Sequence, residues 1–373
     1  MRTRGSIGGR LRILGLAGLA ALALATPGAR AQPASHATLA PREADFTIAD
    51  FHFRSGERLA RLRIHSRTLG QPRRDGAGQV VNAVLLLHGT GGAGTQFLAP
   101  QFADVLFAPG GRLDPAKYFI VMPDGIGHGG SSKPSDGLRA RFPHYDYADM
   151  TAAQHALVTQ GLAVGKLRLI LGTSMGCMHA FVWAQTWPDA AAALMPLACL
   201  PAPIAGRNRL WRQMAIAAIK ADPAWQGGDY ATPPVQGLRT AEDLLILAGA
   251  APWPMQLALP TREAVDAYAA RETAARVAAA EANDLIYQLD ASRTYDPSGG
   301  LGAISAPMTW INSADDFINP PELGVAERQA RRIGSARFVL LPARADGHGH
   351  GTHTWAAFWQ DELAALLRRS GGD

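Results

Sequence analysis

A serine flanked by glycines stands between an apolar run and a helical pattern. The segment Gly172-Thr173-Ser174-Met175-Gly176 follows the apolar run Leu167–Leu171, and the residues from Met175 onward are typical of a helix. A strand that turns sharply into a helix at G-x-S-x-G leaves the serine hydroxyl exposed at the end of the strand, and the glycines avoid collisions in the turn. The spacing therefore predicts Ser174 as a nucleophile.

A serine hydroxyl is a weak nucleophile at neutral pH, so it needs a base, and the base needs an orienting acid. Downstream of the serine, Asp316 follows a predicted strand and is our choice for the acid, with Asp315 as its competitor. His350 is our choice for the base, because its flanking glycines leave a loop imidazole free to reach the serine. His348 and His353 stand in the same loop and remain alternatives.

The negative charge that develops on a carbonyl oxygen needs donors, commonly two backbone N–H groups. We expect one from Met175, directly after the serine, and one from Thr90 in the glycine loop His88–Gly92. His88 is interpreted as a structural histidine of that turn. The loop could alternatively bind a phosphate, but no lysine follows it as in a P-loop.

The histidines of the 348–353 loop could alternatively bind a metal ion. No matching carboxylate motif accompanies them, and the serine mechanism already uses one histidine. The sequence therefore predicts no metal and no cofactor.

These residues follow strands that alternate with helices, which is typical of a mostly parallel sheet covered on both faces. An antiparallel pair is expected at the start. The predicted strands are Phe46–Phe53, Leu59–Ile64, Ala83–Leu87, Tyr118–Pro123, Leu167–Leu171, Ala193–Cys199, Met308–Asn312 and Arg337–Leu341. The predicted helices of this core are Tyr147–Leu162, Met175–Thr186 and Thr354–Leu367.

The alternation stops between residues 201 and 302, which we interpret as an inserted helical cap between core segments 32–200 and 303–373. Helices are expected at Asn208–Lys220, Ala241–Leu247 and Thr261–Leu289, with proline breaks at Pro233-Pro234 and Pro252–Pro254. Substrate pockets are mostly apolar. The cap residues proposed for the pocket wall are Trp211, Met214, Trp225, Trp253 and Met255. The alternative is that these residues line no pocket and serve only to pack the cap onto the core.

Residues 1–31 have the features of a signal peptide, namely an arginine-rich start, an apolar stretch over Ile13–Ala25 and the site Ala29-Arg30-Ala31. We expect a mature, exported (periplasmic or secreted) protein that starts near Gln32, with an uncleaved anchor as the alternative. The leader carries five arginines and no acid, which accounts for the whole formal charge of +5. The remaining chain is neutral, so nothing favours nucleic-acid or stable membrane binding.

Two cysteines, Cys177 and Cys199, remain in the mature chain. Export permits a disulfide. Both lie in apolar stretches, where a cysteine behaves as a small hydrophobic residue. The interpretation favoured here is two buried free thiols.

The chain resembles the homoserine O-acetyltransferase-like branch of the α/β-hydrolases. The likeness rests on Ser174–Ala180, Ala148–Gln154, Arg212–Ile219, Gly227-Gly228-Asp229-Tyr230 and Tyr295-Asp296. It implies an α/β-hydrolase fold with a helical cap, Ser174, Asp316 and His350 as a triad, and a homodimer formed through the cap.

Three functions follow as expectations. The first is a serine hydrolase that cleaves a small-molecule ester, thioester or lactone through an acyl-serine. The second is an O-acyltransferase of the resembled type, in which an alcohol replaces water, and the third is a non-catalytic binding protein. An exported enzyme meets little acetyl-CoA and abundant water, which favours the first.

Overall fold

The computed structural model describes residues 39–371. The predicted signal peptide lies outside the described residues. All eight predicted strands are present and form one sheet in the order β1-β2-β4-β3-β5-β6-β7-β8. Their bounds are β1 Arg42–His52, β2 Arg58–Leu69, β3 Ala83–Leu87, β4 Phe119–Pro123, β5 Leu169–Thr173, β6 Leu194–Leu197, β7 Met308–Ser313 and β8 Ala336–Leu341.

The sheet is mostly parallel, as predicted. β1 pairs antiparallel with β2 and β2 antiparallel with β4, whereas every later pair is parallel. Every residue of the central strand β3 is buried. Its side chains alternate between two cores: Ala83, Leu85 and Leu87 face one, and Val84 and Leu86 the other. A strand buried on both faces reads as a continuous apolar run, which is why the sequence located it.

Helices cover both faces of the sheet. One core contains the helices Tyr147–Ala156 and Met175–Thr186, and the other contains the helices Pro100–Leu106 and Gln360–Arg369. The helix bounds are α1 Pro100–Leu106, α2 Tyr147–Ala156, α3 Met175–Thr186, α4 Gly206–Ala221, α5 Val235–Gly249, α6 Pro252–Ala258, α7 Arg262–Ala279, α8 Ala282–Asp290, α9 Val325–Ala330 and α10 Gln360–Arg369. No helix within 39–371 has the length and apolar character needed to cross a membrane.

The segment between β6 and β7 is helical, and two predictions within it are wrong. The expected single helix Thr261–Leu289 is two helices, because Glu281 has extended backbone and its side chain accepts a hydrogen bond from the Asp284 N–H, which caps α8. Pro252 begins α6 instead of marking a break, because a proline at the first helical position loses no hydrogen bond.

The two cysteines form a disulfide, so the expectation of free thiols is wrong. Cys177 lies in the first turn of α3 and Cys199 lies just beyond β6, with their Cα atoms 5.8 Å apart. β5 and β6 are parallel neighbours, so the helix that follows β5 starts close to the end of β6. Apolar surroundings predicted burial correctly, but they contain no information about this distance.

Candidate active site

Ser174 lies in a sharp turn between β5 and α3, residues 172–176, which we call the elbow. Its backbone has φ 54° and ψ −109°, a conformation that is strained for any residue but glycine. A Cβ on Gly172 would lie 1.9 Å from the carbonyl oxygen of Gly176, and one on Gly176 would lie 2.0 Å from the carbonyl oxygen of Leu87. Both glycines are therefore required by the close approach of backbone to backbone, as the motif predicted.

A chain of hydrogen bonds joins three of the predicted residues. His350 Nε2 lies 2.8 Å from the Ser174 hydroxyl oxygen, and His350 Nδ1 lies 2.9 Å from Oδ2 of Asp316. Asp316 lies in the loop after β7, and His350 lies in the loop between β8 and α10. A carboxylate accepts the Nδ1 proton and leaves Nε2 free to accept the serine proton, the arrangement needed for general-base activation of a hydroxyl.

Asp316 is buried and its charge is stabilised by four donors. Oδ1 accepts from the backbone N–H groups of Ile318 and Asn319, at 2.7 and 3.1 Å, and Oδ2 accepts from His350 Nδ1 and Asn319 Nδ2, both at 2.9 Å. Burial raises the pKa of Asp316, but the charge of His350 and these hydrogen bonds together outweigh it, so that the pKa is lowered overall. The carboxylate is therefore ionised at neutral pH.

The competing residues of the two loops lie elsewhere. Asp315 accepts a hydrogen bond from the Gly349 N–H at 3.2 Å, so it braces the histidine loop instead of the imidazole. The ring of His348 stacks on Trp355 at 3.8 Å. His353 contacts the backbone carbonyl of His350 through Nδ1.

One predicted oxyanion donor, Met175, directly follows Ser174, and the other, Thr90, directly follows a glycine that packs against Ser174. Gly89, next to Thr90, lies so close to the elbow that a Cβ there would be 3.3 Å from the Ser174 Cβ. Among the bonds of residues 39–371, neither the Thr90 N–H nor the Met175 N–H donates to a protein acceptor. Both are therefore available to a ligand.

Sequence reasoning missed Gln96, which braces this loop. Its Oε1 accepts from the Gly89 N–H at 3.2 Å and its Nε2 donates to the Thr173 hydroxyl at 2.8 Å, so one side chain ties the glycine loop to the elbow. No sequence signal identified it, because a glutamine in a short helical turn has no pattern of its own.

His88 has the structural role that the sequence suggested. Its Nε2 accepts from the Gly125 N–H at 2.9 Å, so Nδ1 carries the proton and donates to the Gly89 carbonyl at 2.8 Å. Burial lowers its pKa, which keeps the ring neutral. The imidazole fixes the glycine loop and is not free to exchange protons with a substrate.

Comparison with known proteins identifies the family of this chain. Residues 82–348 match the family model of the alpha/beta hydrolase fold. The chain belongs to the α/β-hydrolase family. It is 30% identical to the homoserine O-acetyltransferase of Moorella thermoacetica over 72% of this chain and 80% of that protein. It is 29% identical to a protein named "Probable acyltransferase" from Methanothermobacter thermautotrophicus, over 81% and 91% of the two chains.

Solved structures share the fold of this α/β-hydrolase. An acetylester hydrolase from Corynebacterium glutamicum superimposes with a TM-score of 0.76 at 20% identity, covering 88% of this chain and 96% of that one. The homoserine O-acetyltransferase of Bacillus anthracis also gives 0.76, at 18% identity and with 88% and 98% covered. The chain is thus an enzyme of the homoserine O-acetyltransferase-like branch, as the resemblance implied.

The five pocket residues expected in the α/β-hydrolase cap are scattered. Met255 lines a cavity of about 1050 Å³ that also borders Asp316. Trp225 lines a separate cavity of about 370 Å³ and donates through Nε1 to Asn283. Trp211 is buried, whereas Met214 and Trp253 are about half exposed, at 49% and 52%. The apolar character of these five residues did not determine which of their side chains line a cavity.

No metal-binding group is found in the part of the chain that the structure describes. The three histidines of the 348–353 loop do not converge with carboxylates or thiolates into a set of three or more ligands.

Proposed function

We propose that this α/β-hydrolase is an exported serine hydrolase that cleaves a carboxylic ester, thioester or lactone. The observation that carries the proposal is the unbroken hydrogen-bond chain from Asp316 through His350 to Ser174. A hydroxyl held 2.8 Å from an imidazole can transfer its proton while its oxygen attacks a carbonyl carbon.

In the first half-reaction the Ser174 oxygen bonds to the carbonyl carbon while its proton moves to His350 Nε2. The carbonyl oxygen becomes an oxyanion that accepts hydrogen bonds from the Thr90 and Met175 N–H groups. Collapse of this intermediate breaks the bond to the alkoxide or thiolate, which leaves with the proton from His350. Asp316 stays ionised and orients the imidazole throughout.

In the second half-reaction water takes the place of the leaving group. His350 accepts a proton from water as the water oxygen attacks the acyl-serine, and returns it to Ser174 as the acid is released. If the pocket admits an alcohol and excludes water, the same intermediate gives acyl transfer. The names of the curated relatives favour this second candidate, an O-acyltransferase.

Incubation of the purified protein with p-nitrophenyl acetate tests the acyl-serine mechanism. We expect turnover in the wild type, and a loss of about 10⁵- to 10⁶-fold in kcat for Ser174→Ala. Ser55→Ala is the matched control, because Ser55 is exposed and lies between β1 and β2, outside the elbow; this variant should retain full turnover. Turnover that survives Ser174→Ala would reject the mechanism.

A second assay separates hydrolysis from transfer. Acetyl-CoA is supplied with and without homoserine, and free thiol is measured. Thiol release that requires homoserine would support the acyltransferase, whereas ester hydrolysis that added homoserine leaves unchanged supports the hydrolase.

Export is part of the proposal. It is supported by the arginine-rich and apolar character of residues 1–31 and by the Cys177–Cys199 disulfide, because disulfides persist mainly in oxidising compartments. Expression with the native N-terminus should give a periplasmic or secreted protein whose first residue lies near Gln32. A protein that retains its first residues in the cytoplasm would contradict this.

A further inference from the structure

A large cavity lies where the cap meets the loop that carries the acid of the triad. Its volume is about 1050 Å³, and Asp315 and Asp316 form part of its wall. Ala250, just after α5, lines it as well, and a Cβ on Gly349 would lie 3.2 Å from the Ala250 carbonyl oxygen. The cavity therefore adjoins the residues that position His350.

Only one imidazole ring stands between the acid in this wall and the nucleophile. Asp316 Oδ2 is 2.9 Å from His350 Nδ1, and His350 Nε2 is 2.8 Å from the Ser174 hydroxyl oxygen. The space is thus close enough to a carbonyl carbon held at Ser174 to take a substituent of the same ester.

The cavity is far larger than an acetyl group needs. Protein sites for drug-sized ligands have volumes of roughly 300–1,000 Å³, and this cavity reaches the upper end of that range. An acetyl ester would leave most of the space to water, and water against apolar surface is unfavourable. The volume therefore favours a substrate with a longer substituent.

The wall of the cavity is predominantly apolar. Its large apolar side chains come from the segments after β6 and β7, from the end of α5 and from α6, namely Leu200, Ile204, Leu247, Met255, Phe317 and Leu323. Two of them are more than half exposed to solvent, Leu247 at 58% and Leu323 at 53%. Hydrocarbon in the cavity would remove this apolar surface from water, which is favourable in proportion to the area covered.

The polar residues of the wall are engaged elsewhere. Five of them form hydrogen bonds with other protein groups, namely Arg207, Asn208, Asp315, Asp316 and Asn319. Arg207, for example, donates to the backbone carbonyl of Phe317, and its guanidinium lies 3.9 Å from the centre of that ring. The sixth, Glu322, is exposed to solvent. The surface that the wall offers to a ligand is thus mainly hydrocarbon.

We propose that this cavity binds an alkyl chain of the substrate, so that the enzyme prefers esters of medium chain length to short ones. The proposal rests on the proposed ester chemistry. The chain can belong to the acyl part or to the alcohol part, because both are joined to the reacting carbonyl, and the experiment separates the two sources. Each methylene that moves from water into such a site strengthens binding about fourfold.

The kinetic test compares neutral esters that differ only in chain length, all below saturation. Ethyl hexanoate is compared with ethyl acetate for the acyl part, and hexyl acetate with ethyl acetate for the alcohol part. We expect the wild type to have a kcat/KM at least about tenfold higher for the long ester in one of the two comparisons, because its four additional methylenes are buried. A wild type without this preference in either comparison would overturn the proposal.

Two variants locate the preference in the cavity. Ala202→Phe adds a ring to the wall, and Leu247→Asp adds a charge at its exposed edge. At least one of them should lower the long-to-short ratio of kcat/KM about tenfold or more, while kcat/KM for ethyl acetate stays within threefold of the wild type. Ala267→Phe and Leu210→Asp are the matched controls, because both residues are exposed and lie outside the wall. A ratio that neither cavity variant lowers, or that the controls lower equally, would overturn the proposal.

A binding measurement keeps this test independent of turnover. 1-Hexanol is titrated into Ser174→Ala protein by calorimetry, with and without Ala202→Phe, and ethanol is the short-chain control. We expect 1-hexanol to bind more tightly than ethanol, with a negative heat-capacity change that marks burial of apolar surface, and to bind more weakly in the Ala202→Phe background.

This binding result would support the alkyl site even if no ester is hydrolysed, in which case the proposed function alone has failed. Equal affinity for the two alcohols, or 1-hexanol binding that Ala202→Phe leaves unchanged, would overturn the alkyl site.

Discussion

The side-chain amide of Asn319 donates a 2.9 Å hydrogen bond to the same Asp316 oxygen that accepts the His350 proton. Asn319 also donates to the carbonyl of Ala198 at 3.0 Å, so it ties the acid to the end of β6. The carboxylate is thus held in position independently of the imidazole that it orients. Sequence reasoning selected the acid without recognising this brace.

Removing the brace should slow the chemistry. A hydrogen bond to a charged group contributes about 1.5–3 kcal/mol, so we expect Asn319→Ala to lower kcat about tenfold with KM nearly unchanged. Steady-state kinetics with p-nitrophenyl acetate measures this. Asn82→Ala is the control, because Asn82 is also buried but bonds to backbone carbonyls of Gln71 and Lys117. Equal effects of the two variants on kcat would contradict a positioning role for Asn319.

The elbow glycines should not tolerate a methyl group. A Cβ on Gly176 would lie 2.0 Å from a backbone oxygen that cannot move without distorting β3. We expect Gly176→Ala to lower the free energy of unfolding by at least about 3 kcal/mol, through strain of the kind that overpacking causes. Gly249→Ala, where a Cβ meets nothing within 4 Å, is the matched control and should be neutral or slightly stabilising. Urea unfolding compares them, and equal midpoints would be inconsistent with the turn described here.

The disulfide should contribute stability to the elbow helix. It closes a loop with a sequence separation of 22 residues. Such a cross-link restricts the unfolded chain and is expected to contribute about 3 kcal/mol. Cys177→Ala combined with Cys199→Ala should lower the unfolding midpoint in an oxidising buffer. A reducing agent should lower the wild-type midpoint but leave the double variant unchanged. A wild type that is insensitive to reduction would argue against the bond.

Stability should fall in mild acid because of buried histidines. Burial lowers the pKa of His128 and of His353 to about 3, and lowers the pKa of His88 and His179 as well. Below pH 6.5 the unfolded chain binds protons that the folded protein excludes, so each histidine removes up to about 1.4 kcal/mol per pH unit between its two pKa values. Urea unfolding at pH 7.5 and 5.5 should show this loss, and His128→Phe should make the slope shallower. Stability that does not change over this range would contradict neutral burial.

The strands and the order of the site residues could be predicted from the sequence. β3 is a continuous apolar run, and β5 and β7 are buried throughout; a residue with a proposed role lies within three residues of the end of each strand. The need for glycine at position 172 has a steric cause within four residues, the carbonyl oxygen of Gly176. Such local causes are visible in a linear sequence.

Features that depend on distant segments could not be predicted. The bond between Cys177 and Cys199 depends on the adjacency of β5 and β6. The separation of α7 from α8 has a local cause, the cap formed by Glu281, which the sequence analysis overlooked. The orientation of cap side chains such as Trp253 depends on how five helices pack together. The cap domain bounds and the homodimer remain predictions.

The most direct test of the acyl-serine mechanism is covalent labelling of the protein followed by peptide mass spectrometry. A fluorophosphonate reacts with an activated serine and leaves a stable adduct in place of the acyl group. We predict one adduct, on the peptide that contains Ser174, formed in the wild type and lost in both Ser174→Ala and His350→Ala. An adduct on another serine would contradict the acyl-serine mechanism. So would an active wild type on which fluorophosphonate treatment leaves no adduct.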